Sequence, residues 1–157
     1  MDTVIFNQGL TEVSTTRRDK LGSIQFKEGK AYKYVKFQNT TATVAVVAGD
    51  PVAYGATSGY DNNLVVSDMT DAESQPVGAG FALAAIAGVL ATAYYVWIQI
   101  KGLVTVPTAI GSGVVGSHVR LTSTDKTLGV QTGVLNTMGV ELTATAANNK
   151  IIADCPF

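Results

Sequence analysis

The sequence predicts an all-β fold: a small sandwich or barrel with an extended N-terminal arm. Three observations carry that expectation. Apolar residues make up 46 % of the chain and charged residues only 15 %, with 16 glycines, a composition suited to short strands joined by many turns. The longest β-prone run, Tyr94 to Pro107, holds the only tryptophan and is dense in aromatic and β-branched residues. Read with a period of two, Tyr94, Val96, Ile98 and Ile100 point one way, and Tyr95, Trp97, Gln99 and Lys101 the other. The first set is wholly apolar and the second grades from aromatic to charged. This is the pattern of a central antiparallel strand with one face on a core and the other part-covered. Trp97 is therefore expected in a core or a subunit interface. Gly102 permits a bend or bulge, and Pro107 ends the strand.

At 157 residues one β domain is the default, assigned to residues 22–157, with residues 1–21 as the arm. The arm opens on the apolar piece Val4-Ile5-Phe6, then runs polar to Arg17, Arg18 and Lys20 without a sustained period. Val4, Ile5 and Phe6 as apolar anchors, with Arg17, Arg18 and Lys20 as charged ones, make it the expected partner contact. The element reading continues with strands over 31–38 and 42–47 as a hairpin, a short strand over 52–54, a polar loop over 55–63, and a return strand over 64–66. A glycine-rich strand over 76–85 follows, turning near Gly88, with an Ala-rich helix over 81–93 as the alternative. Beyond Pro107 come a glycine-rich connection over 108–116, a hairpin of 117–122 with 127–131, a strand over 134–144, a turn over 147–149, and a last strand over 150–154.

Two halves of the chain resemble each other. Ala31 to Asn39 matches Ala93 to Lys101. Gly49-Asp50-Pro51-Val52, with the return strand Leu64-Val65-Val66, matches Gly116-Ser117-His118-Val119 with Leu128-Gly129-Val130. Val77 to Leu83 matches Met138 to Leu142. Either this reflects two related β-units over one core, or it is the echo of any glycine-punctuated β protein.

Net charge is −1, which gives no global pull toward nucleic acid. The charge is uneven: residues 17–36 carry seven basic side chains against two acidic, and the rest four against ten. That is either a solvated hairpin or complementarity to an acidic partner. Ser74 to Ile100 lacks any charge, but its alanines and glycines give a weak insertion signal, so no membrane span is expected. The one cysteine, Cys155, excludes an intrachain disulfide. With no basic-then-apolar N-terminal pattern, folding in a reducing cytoplasm is expected.

Catalytic signatures are missing from the pattern. His118 is the only histidine and sits in a strand-like alternation, which fits a surface or interface residue. Asp68, Asp71 and Glu73 lack the register of a calcium loop, and there is no phosphate loop or metal-spaced His/Cys pair. No enzyme activity, cofactor or metal is expected.

The strand Tyr94 to Gly102, with its aromatic-Val-Trp-Ile-Gln core, the small-residue run Val77-Gly78-Ala79-Gly80-Phe81-Ala82-Leu83-Ala84 before it, the Gly49-Asp50-Pro51-Val52 turn and the Gly139-Val140-Glu141-Leu142-Thr143-Ala144 ending together resemble the head decoration, or capsid cement, proteins of tailed bacteriophages. The resemblance spans about residues 30–154. It implies a β-rich virion protein on the outer capsid surface, made in the host cytoplasm and bound to the major capsid protein. It also implies a homo-oligomer, trimer favoured over dimer, that stabilises the shell without an active site. The alternative is a phage head fibre or other carbohydrate-binding β-module, for which Tyr54 and Tyr60 supply an aromatic pair.

Overall fold

The computed structural model describes residues 6–56, 59–108, 110–111, 113–131, 137–143 and 148–156. Its strands are β1 (Ile24–Lys27), β2 (Lys30–Phe37), β3 (Pro51–Tyr54), β4 (Leu64–Val66), β5 (Gly78–Ala82), β6 (Tyr94–Val106), β7 (His118–Leu121), β8 (Leu128–Val130), β9 (Gly139–Glu141) and β10 (Asn149–Asp154). The only helical turn among the described residues is a 3-10 turn, Met69–Asp71, so the alternative of a helix over 81–93 falls away. The fold is all-β.

Strand β6 is central, as its pattern predicts. Its first half pairs antiparallel with β2, from Phe37 opposite Tyr94 to Tyr32 opposite Gln99. β5 pairs with it at Phe81–Gln99 and Ala82–Ile98. β3 joins β5 to β4, and β4 runs parallel to the end of β2. The order β2-β4-β3-β5-β6 thus returns to β2 and closes a five-stranded barrel. The β2 register shifts between Ala31 and Tyr32, which leaves Ile100 as the extra residue on β6, two places before Gly102 with its φ of 95°. From Lys101 on, β6 pairs with β10, and β9, β7 and β8 follow. A parallel bridge, Gly111–Gly129, joins the chain beyond β6 to β8.

The two units have the same strand order, and β6 belongs to both: its first half ends the first unit and its second half begins the next. Their hydrogen bonds repeat position by position. Gly49 N donates to Ala82 O at 2.8 Å and Gly116 N to Glu141 O at 2.8 Å; Ala82 N donates to Asp50 O and Glu141 N to Ser117 O, both at 2.9 Å. Gln38 N donates to Val65 O at 3.0 Å and Gly111 N to Leu128 O at 3.1 Å. The turn before each inner hairpin is tied alike, Val47 N to the Asp50 carboxylate and Val114 N to the Ser117 hydroxyl. Gly49 and Gly116 both take φ of 90°, where side-chain-bearing residues are strained. Gly80 and Gly139 occupy one position: a Cβ would lie 2.7 Å from Gln99 O in the first and 2.3 Å from Ile152 O in the second.

These pairings correct the sequence alignment of the halves. The Gly49 and Gly116 turns do correspond. The counterpart of β2 is the second half of β6, and the counterpart of Tyr94–Gln99 is β10, so Trp97 matches Lys150. Gly139 matches Gly80, and Leu128 matches Val65 rather than Leu64. The aromatic character of both β2 and early β6 made them look like equivalents, when they are neighbours in one sheet.

The core is continuous through both units, from Val35, Phe37, Phe81 and Ile98 to Val106, Val119, Leu121, Leu128 and Ile151. The expected hairpin of 31–38 with 42–47 does not form. β2 pairs instead with β1 through the two-residue turn Glu28-Gly29, both at positive φ, while Val46 makes only an isolated bridge to Ile86. Of the expected strand over 134–144, residues 139–141 form β9; residues 134–136 and 144 lie outside the described residues, as does residue 147 of the expected turn.

Candidate functional site

The expected N-terminal arm is corrected by its packing. Residues 6–21 lie as a strap across the outer face of β2 and β6. Phe6 meets Trp97 edge-to-face, ring centroids 4.9 Å apart, and Leu10 and Leu21 pack on the same cluster of Tyr32, Tyr34 and Trp97. Gln8 is the fastening. Its Nε2 donates to the carbonyls of Glu12 and Tyr95, its Oε1 accepts from Tyr34 OH at 2.7 Å, and its backbone carbonyl accepts from Trp97 Nε1 at 3.1 Å. The Asp19 carboxylate accepts from the backbone N–H of Asn7 and Gln8, and Ser14 bridges to Tyr95. Gln8 and Asp19 thus spend their polar groups on the protein's own chain, while Thr11, Thr15, Thr16, Arg17, Arg18 and Lys20 face water. Trp97 is left 1 % exposed.

Of the expected contact residues, Val4 and Ile5 lie outside the described residues. Phe6 is spent on Trp97. Arg18 is exposed and pairs with Glu12 on the same strap, and Arg17 and Lys20 are exposed on its outside.

Among the described residues no strap crosses the second unit. Across its outer face Leu103 stands opposite Ile152, and Ile152 opposite Val140. Leu103 and Ile152 are 45 % and 48 % exposed, and Val114 and Val115 in the loop before β7 are exposed as well. Leu103 and Ile152 were not singled out from the sequence. The signal was there: in Leu103-Val104-Thr105-Val106 the inward places belong to Val104 and Val106, which turns Leu103 out.

A second feature lies at one end of the first barrel. The β3–β4 loop and the stretch before β5 enclose a pocket of about 330 Å³ lined by Tyr54, Tyr60, Asp61, Glu73 and Val77, with Gly55 and Gly59. The Tyr54 and Tyr60 rings meet edge-to-face at 4.9 Å. Lys33, buried inside the barrel, donates from Nζ to Tyr54 OH at 3.0 Å and stands 5.2 and 5.5 Å from the Tyr54 and Tyr60 ring centres. Burial lowers the Lys33 pKa and raises that of Tyr54. In the second unit the positions of Lys33 and Tyr54 hold Val104 and Leu121, an ordinary apolar pair.

Two other acids are held oppositely. Burial pulls Asp71 upward, but hydrogen bonds from the hydroxyls and backbone N–H groups of Thr41 and Thr40 outweigh it and leave its pKa lowered. Glu141 is buried with no partner for Oε2 among the described residues, and burial raises its pKa. Among the described residues no group of three His, Cys, Asp or Glu could hold a metal ion, and no helix is long and apolar enough to cross a membrane. His118 is exposed on β7.

No protein-family model matches the chain, and no curated protein matches it.

Proposed function

We propose that this chain is a structural protein of a tailed-bacteriophage head, a decoration protein that binds the outside of the icosahedral shell and stabilises it without catalysis. The observation that carries the reading is the uncovered outer face of the second unit. Leu103 and Ile152, nearly half exposed on the sheet, offer apolar surface that an assembly would bury. The low charge content and the family resemblance of Tyr94 to Gly102 point the same way. Contact with the major capsid protein, and with further copies of the chain in a trimer or dimer, would add binding free energy summed over many sites on the shell. Arg17 and Lys20 on the strap supply the basic side of that contact.

The test is decoration of empty heads from the same genome, read by electron microscopy, with the full chain and with Leu103→Gln/Ile152→Gln. The reading expects density on the shell from the full chain, and loss of it from the double variant while its thermal midpoint is kept. Bare heads with the full chain overturn it.

A further inference from the structure

We propose that the pocket at the end of the first barrel is a sugar-binding site that takes one pyranose ring between Tyr60 and the Asp61 and Glu73 carboxylates. The comparison inside the molecule singles the place out. Two units with the same strand order differ at the corresponding end. The second fills it with Val104 and Leu121 and crosses from β7 to β8 in six residues, 122–127. The first places Lys33 and Tyr54 there and uses nine residues, 55–63, to go from β3 to β4, and the longer loop carries Tyr60 and Asp61 to the pocket. A buried ammonium is costly and an apolar pair is a ready alternative on this backbone, so packing alone does not account for Lys33.

The electrostatics select the ligand class. A cation over the two tyrosine rings would meet the Lys33 ammonium, which already stands within cation–π range of both. An anion would meet Asp61 and Glu73 at the wall. A neutral ligand with an apolar face and several hydroxyls meets neither objection. Its C–H face covers the half-exposed Tyr60 ring and Val77, and its hydroxyls donate to the two carboxylates, each of which offers several acceptor positions. A volume of about 330 Å³ lies at the small end of ligand pockets, which suits a single ring or the terminal residue of a chain. The site is independent of the head-decoration reading, since it sits on the first unit and uses none of the residues of the uncovered face.

The experiment is saturation-transfer NMR on the full chain with the methyl pyranosides of glucose, galactose, mannose and N-acetylglucosamine. A parallel arm uses a bacterial surface polysaccharide carrying the ring that responds, to separate free sugar from a chain end as the source. Transfer to the ring C–H protons of at least one pyranoside is expected. Tyr60→Ala should weaken binding about tenfold, the loss of one good aromatic contact. Lys150→Ala, on the other unit, should leave it unchanged. Tyr60 is half exposed and the variant should fold; an unchanged tryptophan emission maximum checks this. The proposal is overturned if no pyranoside shows transfer, if Tyr60→Ala binds as the parent does, or if tetramethylammonium binds at the site and the sugars do not.

Discussion

The outer faces of the two units rest on matching backbone and end opposite in character. In the first, Tyr32, Tyr34 and Trp97 lie under the strap, and they and Gln99 are buried. At the same places in the second stand Leu103, Thr105, Lys150 and Ile152, all exposed. One set of strand positions is completed within the chain and the other is left open. The difference lies in the side chains, since the backbone pairing that would accept either is the same. A barrel of this kind tolerates a covered or an uncovered flank, and which it shows depends on whether a segment with a Gln8 and a Phe6 crosses it.

The sharpest way to break this comparison is to truncate the matched pair Trp97 and Lys150. Trp97→Ala should cost about 3–5 kcal/mol by chemical denaturation, because its ring fills the space under Phe6 and beside Tyr34. Lys150→Ala, at the corresponding exposed place, should change stability by less than about 0.5 kcal/mol. Equal losses would mean that the two flanks are not distinct. Deleting residues 1–21 comes next. A free arm would leave the thermal midpoint where it was, whereas the strap should cost about 3 kcal/mol from the apolar area of Phe6, Leu10 and Leu21. Tryptophan emission should shift to the red as Trp97 meets water.

The equivalence of the two units is tested by Gly80→Ala and Gly139→Ala. Each added methyl would meet a backbone carbonyl of the neighbouring strand, at 2.7 Å and 2.3 Å, and each should cost about 2 kcal/mol or more. A loss at one position only would undo the matched register. The smallest effect is a pair of opposite pH responses. The Asp71 pKa is lowered in the folded state, so its contribution is complete above the ordinary carboxylate range and fades as pH falls through and below about 4. The Glu141 pKa is raised, so its burial costs nothing in acid and costs more as pH rises through and above that range. At neutral pH, Asp71→Asn should destabilise and Glu141→Gln should stabilise, each on the order of 1 kcal/mol. Both differences should shrink in thermal melts at acid pH.

Much of the architecture could be read from residue order. The alternation of Tyr94 to Lys101 set both faces of β6, and short apolar runs marked β3, β4, β7, β8 and β10. Those signals are local, and local pattern survives into the fold. What escaped was non-local. β1 is too short and too polar to stand out, and it exists because the Glu28-Gly29 turn brings it back along β2. The strap escaped because Gln8 and Asp19 look solvent-bound until the carbonyls and N–H groups they serve are in place. Tyr54 and Tyr60 were visible as an aromatic pair in one loop. Lys33 beneath them was not, since the alternation of β2 separates its two faces without saying which one turns inward.

The shared strand has a mechanical consequence. Two modules joined by a linker can be pulled apart at the linker, and a load on one reaches the other only through whatever surface they press together. Here thirteen consecutive residues, Tyr94–Val106, are the last stave of the barrel and the first strand of the second unit. Tension entering through the first is handed to the second along covalent backbone, with hydrogen-bonded neighbours on the way. The molecule should therefore yield as one body under force, in a single rupture event, and carry strain from one attachment point to another without a hinge in between.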